Sequence, residues 1–240
     1  MPDIRYPVAD DAWPGYLAVP AVAPGPWPAV VVIHEAFGLN DDIRAKADEF
    51  AARGYLALAP DLFDGKSWIR CIRSAFGQLR AGRGPAFTAL DAARTFLAAR
   101  PDCTGKTGVI GFCLGGGFAL LCAPRPGFDV AAVSYGDVPK DAESVLARTC
   151  PIVGSYGGRD LMGTQHPERL QRALEVLEVS HDIKVYPGAG HRFMTESEGV
   201  SAVFAKIAKM SYQPDDAADA WQRIFAFFGT YLDGQPEVAG

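Results

Sequence analysis

Thr107-Gly108-Val109-Ile110-Gly111-Phe112-Cys113-Leu114-Gly115-Gly116-Gly117-Phe118-Ala119-Leu120-Leu121-Cys122-Ala123-Pro124 is a run of 18 residues without a charge. Its length approaches that of a membrane span. Five glycines (Gly108, Gly111, Gly115, Gly116, Gly117) fall in its first eleven positions, however. A strand over Thr107–Gly111, a tight turn at Cys113 and a buried helix beyond it account for the pattern, so the chain reads as soluble. The same decision sets the fold, because a strand leading directly into a helix is one step of an α/β alternation.

On the N-terminal side, Ala29 to His34 (AVVVIH) is a continuous apolar run, as expected of a strand covered on both faces of a parallel sheet. Asn40 or Asp41 can cap a helix striped by Ile43, Ala47, Phe50 and Ala51, which Gly54 ends. Tyr16–Val19 and Tyr55–Ala59 read as further strands. The stretch from Asp61 to Pro85 reads as loop-rich, and Phe87, Leu90, Ala93 and Leu97 mark the next helix. On the C-terminal side, Val130–Ser134, Ile152–Tyr156 and Ile183–Tyr186 read as strands. Leu170, Ala173, Leu174 and Leu177 stripe a helix. The last helix carries Ala217, Ala220, Trp221, Ile224, Phe227, Phe228 and Tyr231. The alternation predicts one α/β domain over residues 1–240, with a mainly parallel central sheet and helices on both faces. Ligands of such sheets sit at the carboxyl ends of the strands, so function is sought just after each strand.

The chain has 240 residues, a net charge of −5, no basic block and no signal-peptide core, which disfavours nucleic-acid and anionic-membrane binding. Five cysteines (Cys71, Cys103, Cys113, Cys122, Cys150) make a poor disulfide framework and suit a reducing, cytoplasmic setting. Gly111-Phe112-Cys113-Leu114-Gly115 is G-x-C-x-G, a nucleophile elbow with cysteine in the serine position. The helix after it turns its N-terminal N–H groups toward the thiol and favours thiolate. Gly157-Gly158-Arg159-Asp160 follows the strand at Ile152–Tyr156, and Gly188-Ala189-Gly190-His191 follows the strand at Ile183–Tyr186. Nucleophile, acid and base therefore come in the order Cys113, Asp160, His191. His191 would take the thiol proton, and Asp160 would fix its tautomer. Aspartate after paired glycines is also an ordinary turn residue, and Asp137, after Val130–Tyr135, competes for the acid role. His34, His166 and His181 read as surface or internally satisfied residues.

Together with His34-Glu35-Ala36-Phe37-Gly38-Leu39-Asn40, Ala59-Pro60-Asp61-Leu62-Phe63 and Gly188-Ala189-Gly190-His191-Arg192-Phe193, these stretches resemble the dienelactone hydrolase family of the α/β-hydrolase fold, over about residues 10–232. The resemblance implies a Cys–His–Asp triad on Cys113, His191 and Asp160. It also implies a glutamate, Glu35, that contacts the resting thiol and helps activate it. From its position at the end of an apolar run, Glu35 is expected to be partly desolvated and drawn toward the range of a general base, although an exposed loop glutamate would also fit. The backbone N–H groups of Ala36 and Leu114 would form the oxyanion hole. The candidates for substrate contact are Phe37, Arg70, Arg73, Arg192 and Phe193.

Family members acting on dienelactone hold its carboxylate with arginines, one of them a few residues past the histidine. Here Arg192 is adjacent to the histidine and Thr195 offers no cation, while Arg70, Arg73, Arg80 and Arg83 lie in the Asp61–Pro85 stretch. A guanidinium among them would suit a carboxylate. Glu196–Gln213 is expected to form a wall or lid.

No cofactor or metal is expected. His34-Glu35 opens H-E-x-x-H but meets Gly38, Gly105-Lys106-Thr107 lacks the rest of a P-loop, and no cysteine pair has zinc spacing. The expectation is hydrolysis of a small-molecule ester or lactone, dienelactone-like, through a thiol ester, by a monomer or small homo-oligomer. The alternatives are a broad carboxylesterase or thioesterase, and a non-hydrolytic thiol redox or ligand-binding homologue.

Overall fold

A computed structural model describes residues 3–21, 24–196 and 212–233. In it β1 (Asp3–Val8), β2 (Asp11–Ala18), β3 (Trp27–Ile33), β4 (Leu56–Pro60), β5 (Cys103–Phe112), β6 (Val130–Ser134), β7 (Ile152–Gly157) and β8 (His181–Tyr186) form one sheet. Their order is β1-β2-β4-β3-β5-β6-β7-β8. β1 and β2 pair antiparallel, as do β2 and β4, and every other neighbouring pair is parallel.

The helices are α1 (Asp41–Ala52), α2 (Trp68–Ala81), α3 (Pro85–Ala98), α4 (Leu114–Cys122), α5 (Ala142–Val145), α6 (His166–Val176) and α7 (Pro214–Phe228). A π-helical turn over Gly229–Asp233 follows α7. Period-two alternation divides the strand residues between two cores. Ala29, Val31, Ile33 and Val109 face a core shared with α2, α3, α4 and α6. Val30, Val32, Ile110 and Phe112 face one shared with α1 and α7. These strand residues are fully excluded from water on both faces, which is why the strands carry no polar face.

The uncharged run divides as its glycines require, into the end of β5 and the whole of α4. Among the described residues no helix is long and apolar enough to cross a membrane. Asn40 caps α1 by accepting from the Ile43 N–H at 3.1 Å. The chain passes from β3 through α1 to β4 on one side, and from β5 through α4 to β6 on the other. The switch point therefore lies between the carboxyl ends of β3 and β5, where such sheets open a ligand crevice.

Two expectations need correction. The stretch read as loop contains α2: Cys71, Ile72, Ala75 and Leu79 recur at helical spacing and pack on the core, while Arg70, Arg73 and Arg80 face water. The glycines at 65, 77, 82 and 84 and the density of arginine masked that period. The strand read from Tyr16 begins at Asp11 and pairs with β1, which was not anticipated. Pro7 interrupts its alternation, yet Tyr6 and Val8 are buried. Residues 197–211 of the expected lid lie outside the described residues.

Candidate active site

Cys113 joins β5 to α4 with φ 53° and ψ −115°, a conformation that side-chain-bearing residues rarely adopt. Holding it costs about 1–3 kcal/mol, offset by the packing around it. The two flanking glycines make the turn possible. A Cβ at Gly111 would lie 1.9 Å from the carbonyl oxygen of Gly115, and one at Gly115 would lie 2.4 Å from that of Ile33. The elbow thus presses against the end of β3, and only glycine fits at either position. The Cys113 N–H donates to the Ser134 carbonyl at 3.0 Å, which ties the turn to β6.

The loops after β7 and β8 are bound to each other. Gly158 N–H donates to Tyr186 O and Arg159 N–H to Ala189 O, both at 2.8 Å. This sets Asp160 beside His191. The carboxylate Oδ2 is 2.7 Å from His191 Nδ1, and its Oδ1 accepts from the Met162 N–H at 2.8 Å. His191 Nε2 faces Cys113 Sγ at 3.0 Å. Cys113, His191 and Asp160 thus form one continuous line of contacts, with the carboxylate supplied by the loop after β7. Asp137 instead pairs with His166, at 3.1 Å.

His191 is 4% exposed. Burial alone would lower its pKa, but the hydrogen bonds and charges of Asp160 and Cys113 outweigh burial and raise it to about 10. Burial likewise pushes Asp160 up, and its hydrogen bond to His191 more than reverses this, leaving it below the usual carboxylate range. Asp160 and Cys113 thus favour the protonated ring, the form His191 takes once it has accepted the thiol proton.

Glu35, just past β3, is 2% exposed. Arg192 Nε and Nη2 both reach its Oε2, at 2.7 and 2.6 Å. Its Oε1 accepts from Thr195 Oγ1 at 3.1 Å and from Tyr135 Oη at 3.3 Å. Burial, then the charge of Glu35, push the Tyr135 phenol well above its ordinary range. The Tyr135 ring meets His191 edge-on at 5.2 Å between centroids and so joins this network to that line of contacts. The thiol rests on His191 while Glu35 rests on Arg192. Where the resemblance places Glu35 against the resting thiol, its hydrogen-bond partners here are Arg192, Thr195 and Tyr135.

A cavity of about 210 Å³ opens above Cys113, lined by Phe76, Leu79, Leu114, Tyr135, Met162 and Gly163, with Asp137, Asp160, His166 and His191 as its polar groups. Phe76 and Leu79 come from α2, the helix the sequence reading missed. His166, read as a surface or internally satisfied residue, stands at this cavity, where the first residue of α6 meets Asp137. No local pattern signals that meeting.

The substrate-contact candidates are differently placed. Arg70 and Arg73 are exposed on α2, and Phe193 is fully buried against Tyr135 and Tyr186. The Arg192 guanidinium is held by Glu35 and lies 5.0 Å from the centre of the Phe37 ring. None of these residues lines the cavity. His34 is satisfied: Leu62 N–H donates to its Nε2 at 3.0 Å and its Nδ1 lies 2.6 Å from Glu35 O, while burial lowers its pKa.

Residues 13–232 match the family model described as "Dienelactone hydrolase family". The chain belongs to the dienelactone hydrolase family. It is 32% identical to a proposed carboxymethylenebutenolidase of Synechocystis, over 91% of this chain and 92% of that protein. A second proposed carboxymethylenebutenolidase, from Yersinia pestis, is 30% identical over 92% of this chain and 85% of its own length. The crystal structure of a proposed dienelactone hydrolase from Klebsiella pneumoniae superposes with a TM-score of 0.81 at 27% identity, covering 96% of this chain and 98% of that one. The sheet order, the elbow and the family together define an α/β-hydrolase fold and a carboxylic-ester hydrolase.

Proposed function

We propose that this dienelactone hydrolase family member hydrolyses esters or lactones through a thiol ester on Cys113, with His191 and Asp160 as its partners. The observation that carries the reading is the unbroken contact from sulfur to imidazole to carboxylate, at 3.0 and 2.7 Å, on a strained elbow. The Cys113 thiolate attacks the carbonyl carbon. The N–H groups of Leu114, in the first turn of α4, and of Ala36, after β3, hold the oxyanion. The tetrahedral adduct collapses, and the His191 imidazolium gives its Nε2 proton to the departing alkoxide. The neutral ring then takes a proton from water as that water attacks the thiol ester. Release of the acid returns the sulfur and the imidazolium to their starting state. Asp160 keeps the imidazole oriented throughout.

Glu35, Arg192, Tyr135 and Thr195 form the floor behind this relay, so Glu35 is a positioning residue in the resting state. The names of the relatives make a carboxymethylenebutenolide-type enol lactone, which carries a carboxylate, the comparison substrate for uncharged esters and lactones. A thiolate is a competent leaving group, and such a site suits activated esters over amides. The test compares wild type with Cys113→Ala on p-nitrophenyl acetate. Hydrolysis by the wild type that disappears in the variant supports the reading; hydrolysis that survives the change overturns it.

A further inference from the structure

None of the arginines offered by the sequence as candidates for a substrate carboxylate is among the described residues lining the cavity above Cys113. Arg192 is spent internally on Glu35, and Arg70, Arg73, Arg80 and Arg83 lie on exposed positions of α2 or just after it. What stands at the cavity instead is Asp137, whose carboxylate is 63% exposed. It follows β6 and accepts from or faces His166 Nε2 at 3.1 Å. His166 does not neutralise it, because burial lowers the imidazole's pKa against the raising charge of Asp137. Asp160 is already matched by His191. Arg169, whose charge also acts on His166, donates to the Val138 carbonyl at 2.7 Å and lines a separate cleft between α5 and α6. The remaining cavity wall is apolar, and Met162 and Phe76 continue it outward as exposed hydrophobic surface.

We propose that Asp137 sets the charge preference of this site, so that it takes uncharged, apolar esters or lactones and discriminates against those bearing a carboxylate. The inference rests on the hydrolase reading above and narrows its substrate class. An anion beside an apolar pocket whose one described side-chain partner, His166, is held toward its neutral form by burial repels a second anion, and a partly exposed one does so through a screened field that salt weakens. An uncharged acyl or alkoxy group gains from burial against Phe76, Leu79 and Met162 and loses nothing to Asp137.

The probes are 4-acetoxybenzoate and its methyl ester, compared by kcat/KM in wild type and Asp137→Asn. The ratio of anionic to neutral turnover is the readout, because any intrinsic difference between the two leaving groups cancels between variants. The ratio is expected to rise about fivefold in Asp137→Asn at low salt, the scale of one exposed charge interaction. In wild type alone, it is expected to rise several-fold between 20 mM and 0.5 M sodium chloride. This second measurement does not depend on the variant folding. Turnover of both esters with a ratio indifferent to salt and to the substitution overturns the charge proposal and leaves the hydrolase reading standing. Turnover of neither ester overturns both.

Discussion

Replacing Asp160 by asparagine keeps the shape of the acid and removes its charge. In the structure its Oδ2 lies 2.7 Å from His191 Nδ1, and that contact is buried on both sides. The rise of His191 from its ordinary 6.5 to about 10 corresponds to about 5 kcal/mol in favour of the protonated ring. Asp160 and Cys113 supply this jointly, against a burial penalty that the substitution leaves untouched. In Asp160→Asn the penalty is opposed by the sulfur alone, so the ring's pKa falls well below 10. Nδ1 then faces an amide that matches the wrong tautomer as readily as the right one.

The turnover of p-nitrophenyl acetate is expected to drop about 10³- to 10⁴-fold, by analogy with loss of the acid in a serine triad. Stability at pH 7 is expected to fall by about 2–4 kcal/mol, as for a buried partner removed from a charged hydrogen bond. The pH dependence gives the sign. A folded pKa raised above the unfolded one stabilises fully below 6.5 and loses that contribution as pH rises through about 10. Wild type therefore becomes less stable between those limits, whereas the variant's stability is flatter there. Ring-proton NMR titration, urea unfolding at several pH values and initial rates measure the three quantities. A variant that keeps His191 titrating near 10, or keeps its rate within tenfold of wild type, refutes the reasoning.

Cys113→Ala removes the other group that holds the His191 proton, so its pKa is expected to fall by NMR titration, while Asp160 keeps it above the value burial alone would set. Gly115→Ala places a Cβ 2.4 Å from the Ile33 carbonyl oxygen, and loss of soluble expression or a fall in Tm of many degrees is expected by thermal melt. Glu35→Ala leaves the Arg192 charge buried without its partner, with an expected loss of about 3–5 kcal/mol in urea unfolding. Glu35→Ala combined with Arg192→Met is expected to recover much of that loss, since the uncompensated charge is then gone.

The parts of the fold written in single-element patterns were legible in the sequence. AVVVIH reads as a buried strand because β3 is covered on both faces, and G-x-C-x-G reads as an elbow because Gly111 and Gly115 each meet a carbonyl where no side chain fits. The order of Cys113, Asp160 and His191 followed from strand ends alone. What escaped depended on contacts between distant segments. α2 is anchored by only a few apolar positions, and its arginines gave it the look of a loop. Glu35 was placed correctly at the strand end, but its pairing with Arg192 spans 157 positions of chain, and no local pattern foretells it. His166 escaped for the same reason, since it meets Asp137, which follows β6, only through the fold.

The most direct test of a thiol-ester route is to catch the intermediate. Wild type is mixed with p-nitrophenyl acetate, quenched in acid within the first turnovers, digested and read by mass spectrometry. The account predicts one acetyl group on the peptide bearing Cys113, labile to hydroxylamine at neutral pH, and none in Cys113→Ala. Acetylation of a different side chain, or steady turnover that persists when Cys113 is replaced, would contradict it.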